Sequence, residues 1–160
     1  MLRVLKILAA FAIGLIGLLA FLANLLNLDS AHSAVSAVIS APDQPYYKIW
    51  GPTFAAAWQG WLGLSVIMAG ELTAGVLGVL GGLRMTARRT SDASDFQAAK
   101  TYAIAGGMTG AIVWYGFFIT VGELYFHMWQ TEIGLGSVEG ALRYGTVCAM
   151  LAILIALRED

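Results

Sequence analysis

The chain has 160 residues, 59% of them hydrophobic and only 12% charged, with nine lysines and arginines against ten acids and a formal net charge of −1. Soluble domains carry roughly 25% charged residues, so a water-soluble core is excluded as the default, and the balanced charge gives no sign of a nucleic-acid partner. The single cysteine, Cys148, cannot close an intrachain disulfide, and no Cys/His set stands at metal-ligand spacing, so no metal or other cofactor is expected.

Residues 2–28 form a nearly unbroken apolar run opened by Arg3 and Lys6, which superficially resembles a signal peptide. Its length, and its end in Asn24, Asn27 and Asp29 without a small-residue cleavage box, argue against cleavage and for a first spanning helix with Gly14 and Gly17 open to close packing. Residues 29–52 are the first connection. The stretch AHSAVSAVISA at 31–41 puts Val35, Val38 and Ile39 on one side and predicts a short interfacial helix, while Pro42, Pro45 and Pro52 break helix around the interfacial aromatics Tyr46, Tyr47 and Trp50.

The second span is predicted over 53–83 and holds one charge, Glu71. On a helical wheel with Glu71 at zero, Gly75 falls near about 40°, Gly78 near about −20° and Gly82 near about 20°, so carboxylate and glycines share a face. That face is expected to pack on protein, because glycines admit another backbone and a carboxylate in lipid is costly. The polar linker 84–100 follows. Ser94 and Gln97 have capping-box spacing, so the third helix is placed over 95–129, with Ala103, Gly106, Gly107, Gly110 and Ala111 as its small residues. After a short loop, the fourth helix is placed over 138–157, with Ala141, Gly145 and Ala149.

Of the nine basic residues, Arg3, Lys6, Arg84, Arg88, Arg89, Lys100 and Arg158 fall on one side of this pattern, Lys48 on the other and Arg143 inside the fourth helix. The positive-inside rule puts the side with seven in the cytoplasm. The fold class is therefore all-α: an integral membrane four-helix bundle, up-down-up-down, both termini cytoplasmic, in a single transmembrane domain over 1–160. Reporters after Asp160 or within 91–95 should be cytoplasmic, and one within 43–48 should lie outside. Gly70-Glu71-Leu72 and Gly122-Glu123-Leu124, each with an upstream tryptophan at Trp61 or Trp114, form an internal echo too short to establish duplication.

The segment FHMWQTEIGLGSVEGALRYG at 126–145, with Ala69-Gly70-Glu71-Leu72, Phe96-Gln97-Ala98-Ala99-Lys100 and the Asn24-Leu25 and Asn27-Leu28-Asp29 end of helix one, resembles a bacterial family of predicted small integral membrane proteins, a domain of unknown function. The resemblance covers essentially the whole chain. It implies a four-helix fold in a bacterial inner membrane and no particular activity.

Glu71 reads either as a proton or cation site or as a buried polar contact that sets helix packing. By depth it is nearly level with Arg143, so a buried pair between Glu71 and Arg143 is expected, direct or through Tyr115, Thr146 or water, with Glu139 sharing the guanidinium. Glu123 and His127 are four apart, and with Glu132 and Glu139 they make an outer-face polar cluster that reads as a metal or proton site or as a solvated rim. His32 and His127, the only histidines, are both placed outside, and haem between them is disfavoured because His32 sits in a connection. Trp114, Tyr115, Phe117, Phe118, Tyr125, Phe126 and Trp129 either line a quinone or lipid groove or serve packing and interfacial anchoring. Two functions follow: a non-catalytic accessory subunit of a larger inner-membrane complex, partnered by lipids and by other membrane subunits or itself, or a small transporter or ion-conducting homo-oligomer that uses Glu71.

Overall fold

A backbone inside lipid has no water to bond, so an apolar chain of this composition must satisfy its amides internally. The computed structural model describes residues 1–42 and 44–158 and contains helices with no strand among them; the reporter positions Asp43 and Asp160 lie outside the described residues. The helices are α1 (Leu2–Leu26), α2 (Leu28–Ser40), α3 (Ala57–Ala87), α4 (Ala93–Ala99), α5 (Thr101–Ala111) and α6 (Glu132–Ala156). A π-helical segment, Ile112–Tyr125, continues α5, and one 3-10 turn, Met128–Gln130, precedes α6. Among the described residues four stretches are long and apolar enough to span a membrane: Leu2–Leu26, Ala57–Ala87, Ala93–Tyr125 and Glu132–Ala156.

Several boundaries differ from the sequence reading for local reasons. The first helix stops at Leu26 because Asn27 leaves helical geometry, with φ −128° and ψ 40°, and α2 begins at once. The third begins at Ala93, and the Ser94–Gln97 box does not form: Gln97 Oε1 instead accepts from Lys100 Nζ at 2.8 Å. The fourth begins at Glu132, six residues earlier than expected, because the Thr131 hydroxyl caps the Gly134 amide at 3.1 Å and Glu132 places its acid in the first turn.

The spans meet where side chains are smallest. A Cβ built on Gly78 of α3 would lie 2.5 Å from the Gly14 amide nitrogen of α1, and one on Gly75 would lie 2.7 Å from that of Leu18. From the other side of α3, a Cβ on Gly106 of α5 would lie 2.7 Å from the Gly78 nitrogen. α6 closes the bundle against α5 and α1, with Gly107 facing Ala152 and Gly145 facing the Tyr115 ring. Gly82 receives the Phe11 ring and Gly110 faces Trp114 and Cys148. These pairings make α1 and α3 antiparallel, α3 and α5 antiparallel, and α5 and α6 antiparallel.

One end of the bundle gathers α1's start, the α3–α4 connection and α6's end. Lys6 and Lys100 are fully buried, and both ammonium groups donate to the Leu157 carbonyl, at 2.6 and 2.7 Å. Arg3 donates to the Arg89 and Ser91 carbonyls and lies over the Phe96 ring. At the opposite end α2 packs along the first turns of α3: the His32 ring stacks on Trp61 with centroids 4.1 Å apart, and His32 Nε2 donates to the Ala57 carbonyl. Gln130 then ties the 44–54 connection to the corner before α6: its Oε1 accepts from the Tyr46 and Tyr47 amides, and its Nε2 donates to the Tyr47 carbonyl and to Gln44.

Candidate functional site

Glu71 sits at the middle of α3, fourteen residues from Ala57 and sixteen from Ala87, or about 21 and 24 Å along the axis. It is 3% exposed. Gly17 and Gly75 let α1 approach so closely that Asn24, in the last turn of α1, reaches the carboxylate. Its Nδ2 donates to Oε2 at 2.9 Å and to Oε1 at 3.2 Å. Burying a carboxylate without such a partner is costly, so the amide stabilises the site and the α1–α3 contact together.

Arg143 is not that partner. The expected Glu71–Arg143 pair does not form: the guanidinium bonds Glu139 Oε2 at 3.2 Å, one turn away on α6, with the two side chains 73% and 57% exposed. The reason is rotational. Level helices share a pair only if both residues face inward, and α6 turns Ala141, Gly145 and Cys148 inward and Arg143 out. Tyr115 and Thr146, offered as bridges, bond each other at 2.6 Å.

The outer-face residues are dispersed as well. Glu123 and His127 do not stand one turn apart on a helix, because the π segment ends at Tyr125 and His127, beyond it, takes a left-handed φ of 49°. The Thr120 hydroxyl donates to the carbonyl of Tyr115, five residues back, and the Phe126 amide to that of Val121. Glu132 and Glu139 are exposed on α6, and no three His, Cys, Asp or Glu side chains converge as a metal site among the described residues. The Gly-Glu-Leu echo also parts: Glu71 is buried in an α-helix, whereas Glu123 is half-buried in the π segment.

What the structure does assemble around Glu71 is a cavity of about 510 Å³ between α1, the π segment and α6. Leu15, Leu19 and Ala20 form one wall, Trp114 and Phe118 the back, and Ala141 and Tyr144 the other wall. A second, apolar cavity of about 250 Å³ lies between α2, α3, the π segment and the start of α6, and the two share Phe118 and Ser137. The sequence alone does not single out Asn24 as a site residue. The signal for it was an amide at the end of an apolar run in a chain with one mid-span carboxylate. Nothing local in the sequence marks Lys6 or Lys100 as buried rather than as a topology charge.

Four spans, interiors closed by glycine contacts and one carboxylate held at mid-depth define a multi-pass helical integral membrane protein. The family model described as "Predicted small integral membrane protein" (DUF2165) matches residues 2–158, and the chain belongs to that family. No curated protein and no solved structure matches it.

Proposed function

We propose that this protein is a non-catalytic accessory subunit of a larger assembly in a bacterial inner membrane, docking through the outward face of α6. The observation that carries this reading is the exposed Glu139–Arg143 pair. Arg143 is fourteen residues, about 21 Å, from Leu157 and so lies at membrane depth. A charge facing hydrocarbon there costs about 2.5–3.5 kcal/mol on insertion scales, and a neighbouring protein helix with polar groups removes much of that cost.

The same face carries an unused contact. Gly136 and Gly140 have the G-x-x-x-G spacing of helix-pairing faces; a Cβ on Gly136 meets nothing within 4 Å, and one on Gly140 only the Tyr144 ring at 3.9 Å. Inside the bundle, Gly17, Gly75, Gly78, Gly81 and Gly106 abut backbone instead. Clustering of Arg3, Lys6, Arg88 and Lys100 at one end supports an up-down-up-down path with both termini cytoplasmic. The transport reading has weaker support, because Glu71 is the only carboxylate lining its cavity among the described residues.

The test is purification in mild detergent, with mass spectrometry of wild type, Gly136→Ile and Arg143→Leu. A stoichiometric larger membrane protein should accompany the wild type and be lost from both variants while their own helicity and melting are retained. Recovery of the chain alone or only as copies of itself, or a partner indifferent to both variants, would reject the reading. A reporter at Lys48 should be periplasmic and one at Ser94 cytoplasmic; the reverse would overturn the orientation.

A further inference from the structure

We propose that the cavity beside Glu71 is a binding site for a membrane-soluble ring compound bearing a hydroxyl donor, the chemistry of a quinol. The cavity's size, about 510 Å³, is in the range of small-molecule sites. Exposed Leu15, Leu19 and Tyr144 stand at its rim, so it opens sideways between α1 and α6 to the surrounding membrane.

One buried polar group has bonding capacity left there. A carboxylate offers about four lone-pair sites, and among the described residues Asn24 alone supplies donors to Glu71. Trp114, 3% exposed, lines the same cavity. A ring with a hydroxyl meets that capacity by donating to Glu71. Trp114, Phe118 and Tyr144 supply flat apolar faces, with the Trp114 and Tyr144 rings 5.7 Å apart.

Depth and lining narrow the class. At the middle of α3 a lipid headgroup is out of place, so a ligand polar only at its ring oxygens fits. A bare divalent cation seeks six or more oxygens, and the lining offers one carboxylate, one amide and the hydroxyls of Ser137 and Tyr144 among otherwise apolar walls. Past Phe118, the second cavity between Val35, Val38 and Ile67 gives a hydrocarbon tail a dry continuation.

The full chain in detergent is titrated under argon with a decyl-substituted benzoquinol, with its dimethyl ether and with dodecylamine. Quenching of Trp114 is read as the difference between wild type and Trp114→Phe. The quinol should quench saturably, and the ether, which keeps the ring and the oxygens but not the donors, should bind about tenfold or more weakly, a loss of about 1.4 kcal/mol. Glu71→Leu should weaken the quinol by a similar factor. Phe118→Trp, which leaves Glu71 and Asn24 in place and is checked for unchanged melting, should block the tail and weaken binding as well. Equal binding of quinol and ether, tighter binding of dodecylamine than of the quinol, or absence of saturable quenching would overturn the proposal.

Discussion

Gly78 is where three spans meet, and substituting it perturbs the bundle in a way the geometry allows to be sized. An alanine methyl there would sit 2.5 Å from the Gly14 nitrogen, 2.7 Å from its Cα and 3.1 Å from the Ala10 carbonyl oxygen, all backbone atoms of α1. Carbon contacts are comfortable at about 3.5–4.0 Å, so α1 must retreat by roughly 1 Å along its closest stretch. It cannot do so by a rotamer change, since no atom in contact belongs to a side chain. Retreat also lengthens the Asn24–Glu71 bond and opens the contacts of Gly17 and Gly75. Overpacking of this kind costs about 1–3 kcal/mol, offset by up to about 1 kcal/mol from alanine's better helix propensity. A net loss of about 1–2 kcal/mol is expected, a factor of about 5–30 in the folded-to-unfolded ratio. Far-UV circular dichroism during titration with sodium dodecyl sulfate reads it, with Gly136→Ala, which meets open space, as the control. If Gly78→Ala unfolds at the same detergent fraction as wild type and Gly136→Ala, the close α1–α3 crossing is refuted.

Two further outcomes follow from the polar contacts. Asn24→Ala leaves the Glu71 carboxylate buried without its donor and should lower stability by about 1–3 kcal/mol in the same titration, while Asn27→Ala, whose amide only bonds the Ala23 carbonyl at an exposed position, should cost much less. Gln130→Ala removes the clasp on Tyr46 and Tyr47, so hydrogen exchange should quicken across residues 44–54 with the α1, α3 and α5 cores still protected; unchanged exchange there would show that the clasp is not what holds the loop.

The membrane class, the approximate spans and the inward faces of the glycines are legible in the chain itself. They depend on composition and on a 3.6-residue period, and both are local properties. Gly75, Gly78 and Gly82 could be assigned to one face with Glu71 because α3 is regular over its whole length. The same method fails at the end of the π segment, where the helix stops at Tyr125 and the left-handed backbone of His127 means that its four-residue spacing from Glu123 is not a helical turn.

Partnership is the part that only the tertiary structure decided. Glu71 and Arg143 are level in the membrane, and depth follows from counting residues, but the rotation of one helix about its axis relative to another does not. That rotation is set by which small residues nest, here Gly14 on Gly78 and Gly107 on Ala152, and it turns Glu71 toward Asn24 and Arg143 out toward Glu139. The burial of Lys6 and Lys100 on one carbonyl, 151 and 57 residues away in sequence, has the same origin. A hydrophobic pattern records how apolar each face is, whereas the identity of a long-range hydrogen-bond partner is fixed by the packing of separate helices.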